Sequence, residues 1–132
     1  MRLDIAVALV VAAQFVDYVF FLAVFPGWET APPDPTAPEA LPFALDAPFT
    51  HSLLGAAVHA LVFAGLLALA APAGRKAAWA ILSGLVVLSH WFTDWLVHRP
   101  DLPLVPCSEP LALSVWYTLS LPGPLPIGLL AA

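Results

Sequence analysis

The chain has 132 residues, of which 61% are hydrophobic and 10% charged, and its mean hydropathy is +0.92. Those values lie outside the range of a soluble globular domain and class it as a membrane protein. The formal net charge of −5 falls mostly in loops, and four Lys and Arg in all leave no basic patch for nucleic acid. Cys107 is the single cysteine, which excludes an intramolecular disulfide and a cysteine-based zinc site.

A membrane-crossing helix needs about 20 mostly apolar residues, and residues 3–25 supply the first. Arg2 followed by an apolar run with Ala12 and Ala13 has the outline of a secretory signal. The apolar character continues past Asp17 to Phe25, however, beyond the roughly 7–15-residue core of a signal, so a retained helix is expected. Residues 26–48, "PGWETAPPDPTAPEALPFALDAP", contain seven prolines and four acidic residues and no Lys or Arg; an extended, irregular loop is expected. Residues 53–71 form the second span and residues 77–97 the third, joined by a short turn that carries Arg75 and Lys76. Residues 110–132 make a poor fourth, because Pro122, Pro124 and Pro126 remove backbone donors from a helix interior.

The expected fold is therefore all-α: a small polytopic transmembrane helical bundle, one domain over 1–132. Positive residues stay in the cytoplasm, which puts Arg2 and the Arg75-Lys76 turn inside and the acidic Pro-rich loop outside. This describes a multi-pass protein of a plasma membrane with a cytoplasmic N-terminus, in contact with membrane lipid. Arg99, on the outer side, is the one dissenting charge. With so few helices, either the chain forms a homo-oligomer or it is a compact remnant of a larger architecture.

The third span ends in "LSHWFTDWLVHRPD", where His90, Asp94 and His98 fall at i, i+4 and i+8 on successive turns of one face. His51 and His59 stand in the same i, i+8 relation near and in the second span. From a rise of about 1.5 Å per residue, Asp17, His59 and His90 share a level roughly 12 Å below the outer face, with Asp94 a turn higher and His51 and His98 near the mouth. An ionisable group in the bilayer interior costs about 2.5–3.5 kcal/mol, so Asp17 and Asp94 need a partner, a proton or a cation. Imidazole and carboxylate oxygen are ligands that Zn²⁺, Mn²⁺ and Fe²⁺ accept. Other roles are open to each residue alone: His51 and His98 as interfacial neighbours of Trp91 and Trp95, Asp94 held by Thr93 or a histidine, Asp17 held by Gln14 or by a partner subunit, His59 as a hydrogen-bonded bundle residue.

Two segments, "APFTHSLLGAAVHALVFA" (47–64) and "LSHWFTDWLVHRPDLPL" (88–104), resemble the signatures of the YdjM-like (DUF457) family, bacterial inner-membrane proteins described as metal-dependent hydrolases. The resemblance implies functional roles for His51 and Ser52 in the first segment and for His90, Asp94 and His98 in the second. Asp17, in "QFVDYVFFL", is similar to an aspartate that such proteins place in the first helix. The expected site then has His51, His90, Asp94 and His98 as metal ligands around a divalent ion, zinc first, with manganese and iron as alternatives. Asp17 or a non-ligating Asp94 is the expected catalytic carboxylate, acting as general base or orienting an imidazole. Arg99 and Ser52 are the expected substrate-binding residues, for an anionic group on a lipid or amphipathic substrate. Each also has a plainer role, Arg99 as a snorkelling interfacial cation and Ser52 or Thr50 as a helix cap. The other classes of function consistent with the residues are proton or ion passage and a structural bundle glued by paired His and Asp.

Overall fold

The computed structural model describes residues 4–35 and 42–111. Four helices carry most of them: α1 (Ile5–Ala13), α2 (Phe15–Val24), α3 (Leu53–Ala70) and α4 (Lys76–Val97). A two-residue antiparallel pair follows, β1 (Leu102–Pro103) with β2 (Pro110–Leu111), Leu102 opposite Leu111. Helices α3 and α4 are each long and apolar enough to cross a membrane. Helices α1 and α2 pass the same test together, bent by 49° at the break between them, and make a third crossing when counted as one broken span. The mostly helical, membrane-type bundle expected from composition is what the chain forms; of the fourth segment, residues 112–132 lie outside the described residues.

Local chemistry sets the helix ends. Asp4 caps α1 by accepting from the Ala6 N–H at 2.9 Å, and Ser52 caps α3 by accepting from the Gly55 N–H at 3.0 Å, each satisfying an orphan donor of the first turn. Helix α3 stops at Ala71, whose extended backbone is what the following Pro72 imposes. Gly74 then adopts φ +84° to reverse the chain. Helix α4 ends at Val97, two residues short of the residue preceding Pro100, and His98 is already extended.

Burial follows the rules for a lipid solvent. Large apolar side chains such as Val10, Leu61 and Leu69 point outward, while small residues let the helices approach: Ala56 and Ala60 of α3 and Ser83 of α4 are buried, and α3 with α4 is the most extensive helix pair. A Cβ at Gly84 would lie 3.3 Å from the Ala64 Cβ, so that position admits little more than hydrogen. Ala8, Ala12 and Val16 complete this core with Phe63, Leu67, Trp79 and Val87.

The first span departs from the expected single helix. Gln14, at φ −111° and ψ 7°, ends α1 and begins α2, although no proline or glycine lies nearby. The cause is a side chain inserted into the backbone ladder: His90 Nδ1 sits 2.9 Å from the Ala13 carbonyl oxygen. The imidazole takes the acceptor that the next turn would otherwise use.

The described residues of the Pro-rich segment, 26–35 and 42–48, form no regular helix or extended sheet, as expected, but they are folded back across the helix ends. Its arms meet at two isolated bridges, Thr30 with Asp46 and Pro33 with Phe43. Leu45 and Ala47 pack on Phe20 and Leu102 as a second apolar core. The Leu45 N–H donates to Asp101 Oδ2 at 3.1 Å, and Arg99 pairs with Asp34. That pair accounts for the one cation on this side: the acidic loop neutralises it.

Candidate metal centre

Four side chains from three segments converge where the Pro-rich flap meets the helices. Asp17 comes from the first turn of α2, just past the kink; His51 from the chain immediately before α3; His90 and Asp94 from successive turns of α4. Asp17 Oδ1 lies 3.4 Å from His51 Nε2 and 3.4 Å from His90 Nε2. Asp94 Oδ2 lies 3.1 Å from His90 Nε2 and 3.7 Å from His51 Nε2. One ligand atom each from Asp17, His51 and His90 falls within 4.8 Å of the other two, so the group can hold a metal ion.

The outer nitrogens decide what the inner ones offer. His90 Nδ1 faces the Ala13 carbonyl, which only accepts, so Nδ1 carries the proton in the neutral ring. At His51, Nδ1 is 2.8 Å from Thr50 Oγ1. That hydroxyl gives its own proton to Glu29 Oε2 at 2.6 Å, so it accepts from His51. Both imidazoles are thereby set with Nε2 as a lone pair aimed at the centre, and the buried His90 Nε2 has no hydrogen-bond partner. Fixing the tautomer through the far nitrogen is the usual arrangement of metal-ligating histidines.

Nitrogen and carboxylate lone pairs at these separations repel each other unless positive charge lies between them. Donors of a tetrahedral ion with bonds of about 2.0–2.1 Å stand about 3.3 Å apart, and Asp17 Oδ1 lies 3.4 Å from each of the two Nε2 atoms. The residues therefore fit a small divalent cation. His51 is further fixed by its own backbone: Trp91 Nε1 donates to the His51 carbonyl at 2.9 Å, and Phe20 stands edge-on to the ring.

The remaining sequence-predicted residues lie elsewhere. His98 does not join the group; its Nδ1 pairs with Asp101 Oδ1 at 3.4 Å. Burial lowers the His98 pKa, but the Asp101 hydrogen bond together with the negative charges of Asp94, Asp101 and Asp17 holds it above its ordinary value of 6.5. Ser52 is wholly buried as the α3 cap, and Arg99 is engaged with Asp34. His59, expected level with Asp17 and His90, instead meets Phe15 edge-on. Thr93 donates to the His90 carbonyl and leaves Asp94 to the histidines. Sequence reasoning missed Glu29, 1% exposed, whose Oε1 accepts from the N–H groups of Phe49 and Thr50 at 2.7 and 2.8 Å. In the sequence it is one acid among several in a Pro-rich loop, with no spacing to mark it.

Comparison with protein-family models, with curated proteins and with solved structures finds no match to this chain.

Proposed function

We propose that the chain is a membrane-embedded, metal-dependent hydrolase, of the YdjM-like kind that its two motifs resemble, acting on a lipid or another amphipathic molecule at the outer face of a bacterial inner membrane. The observation that carries this reading is the convergence of two tautomer-fixed imidazoles and the Asp17 carboxylate on one point, with Asp94 beside them. Zinc suits this imidazole and carboxylate donor set and its spacing best. Bound there, the ion supplies Lewis acidity towards an ester or phosphoryl oxygen and towards water.

His51, His90 and Asp17 would hold the cation. Asp94, 3.1 Å from His90 Nε2 and outside that group, is then the second carboxylate, available to take a proton from an incoming nucleophile. An apolar groove of about 820 Å³ runs alongside, lined by Val19, Leu22, Trp28, Leu54 and Val58, with Thr50 in its wall. Such a surface suits the hydrocarbon part of an amphipathic substrate. The Arg75-Lys76 turn lies at the opposite end of α4 from the site, which by the positive-inside rule puts the site outside.

The test is metal analysis of the purified protein in detergent, followed by hydrolysis assays with phosphate and carboxylate esters of lipids. About one zinc per chain, lost in His90→Ala, with chelator-sensitive turnover, is the expected result. A second reading has its own support, because each Nε2 is within ion-pair range of both carboxylates, so protons could neutralise the group in place of a metal, as in a proton relay. Proton flux in liposomes, with no bound metal and no turnover, would establish that reading and overturn the first.

A further inference from the structure

We infer that Glu29 is a positioning residue for this centre: acting through the Thr50 hydroxyl, it holds His51 as the Nδ1–H tautomer and so presents Nε2 to a divalent cation. The cation in this statement rests on the metal reading above; the tautomer does not.

A buried carboxylate is costly, and Glu29 does more than hold a loop. Its Oε1 alone satisfies the two backbone donors, Phe49 N–H and Thr50 N–H. Oε2 is directed elsewhere, to Thr50 Oγ1 at 2.6 Å. A threonine hydroxyl has one proton to give. Spent on Glu29, it leaves only lone pairs towards His51 Nδ1, 2.8 Å away, and the ring must answer with N–H. The direction of the whole chain, imidazole to hydroxyl to carboxylate, is therefore set at the carboxylate. A carboxylate behind a ligating histidine also makes the ligand nitrogen more basic, and removing such a partner typically costs about 10–100-fold in metal affinity. His90 reaches the same tautomer by a neutral partner, the Ala13 carbonyl, so His51 is the ligand that depends on this relay.

Three variants separate relay from scaffold. Thr50→Val removes the hydroxyl and leaves both backbone donors on Glu29. Thr50→Ser keeps the hydroxyl and serves as the conservative control. Glu29→Gln has one acceptor oxygen; if that oxygen stays on the two N–H groups, its amide NH₂ faces Thr50 and reverses the hydrogen bond. The readouts are the ¹⁵N chemical shifts of His51 in the metal-free full chain in detergent, assigned against His51→Ala, and zinc affinity by competition with a chelator.

The expected result is the Nδ1–H tautomer in the parent and in Thr50→Ser, a shift towards Nε2–H in Thr50→Val and Glu29→Gln, and a 10–100-fold weaker zinc affinity in those two. A parent whose His51 is Nε2–H overturns the inference, as does a folded Thr50→Val with unchanged tautomer and unchanged zinc affinity. A parent that binds no zinc, yet shows the expected tautomer shifts, upholds the positioning role of Glu29 and overturns the metal reading instead.

Discussion

Gly55 offers the sharpest test of how the fold places His51, because helix propensity and packing give opposite signs there. It lies in the first turn of α3, where replacing glycine by alanine ordinarily stabilises a helix by about 0.8–1.0 kcal/mol. A Cβ at this position would, however, lie 2.8 Å from the Phe49 carbonyl carbon, nearer still to its oxygen, and 3.0 Å from Ser52 Oγ. The obstacle is backbone, and that backbone is held in turn: the Phe49 and Thr50 N–H groups are bound to Glu29. Relief requires residues 49–52 to move by roughly 1 Å, the kind of overpacking that costs about 1–3 kcal/mol.

The expected outcome for Gly55→Ala is thus a net loss of up to about 2 kcal/mol, measured by thermal unfolding in detergent. His51 lies inside the displaced segment, so zinc affinity should fall about 10–100-fold even in the folded fraction, since a 1 Å misplacement is enough for such losses. Gly65→Ala is the control, for a Cβ there meets nothing within 4 Å; it should be neutral or stabilising, with zinc affinity intact. A Gly55→Ala protein as stable as the parent and equal in zinc affinity would refute the account of how residues 49–52 are held.

Ser52→Ala should cost about 1 kcal/mol through loss of the α3 cap without changing zinc affinity; a folded variant that loses zinc would return Ser52 to the site. His98 has a folded-state pKa that, against the lowering effect of burial, is raised by the Asp101 hydrogen bond and the nearby carboxylates, so its contribution to stability is full below its ordinary value of 6.5 and disappears as pH rises through the higher folded value. Unfolding temperatures of the parent should accordingly decline relative to those of His98→Gln as pH increases over that window, and parallel curves would refute the pairing. Arg99→Gln removes the Arg99–Asp34 tie of the flap: about 0–1 kcal/mol of stability is at stake, and amide exchange of residues 30–34 and 43–46 should accelerate while zinc affinity holds.

The spans were legible in the sequence because hydropathy and length are local properties: α3 and α4 begin and end within a residue of where composition places them. The bend at Gln14 was not, since its cause is His90, a residue far along the chain whose ring intercepts the Ala13 carbonyl. The depth count from helical rise put Asp17, His59 and His90 at one level, with Asp94 a turn higher and His51 near the mouth, whereas it is His51, not His59, that meets Asp17 and His90. Rise per residue holds only inside a helix; His51 precedes α3 in irregular chain that turns inward under the flap, beyond the reach of that rule. His98 was assigned to the His90–Asp94 face by extending the i, i+4 series one more step. The helix ends at Val97, and the extended backbone at His98 carries its ring to Asp101.

The charges at the centre themselves specify a measurement. Asp17 and Asp94 bring two negative charges, each costing about 2.5–3.5 kcal/mol within a membrane span, and neutral imidazoles do nothing to cancel them. A divalent cation brings the sum to zero. In its absence, a proton at His90 Nε2, 3.1 Å from Asp94 and 3.4 Å from Asp17, does part of the same work. Metal binding to the metal-free protein must therefore expel what the metal replaces, because a ligand nitrogen cannot keep its proton. Calorimetric titration of zinc into the metal-free chain, repeated in buffers of different ionisation enthalpy, should report about one proton released per ion, and fewer in His90→Ala. Zinc binding with no proton release would mean that the ion sits away from these histidines, and the centre would have to be sought elsewhere in the bundle.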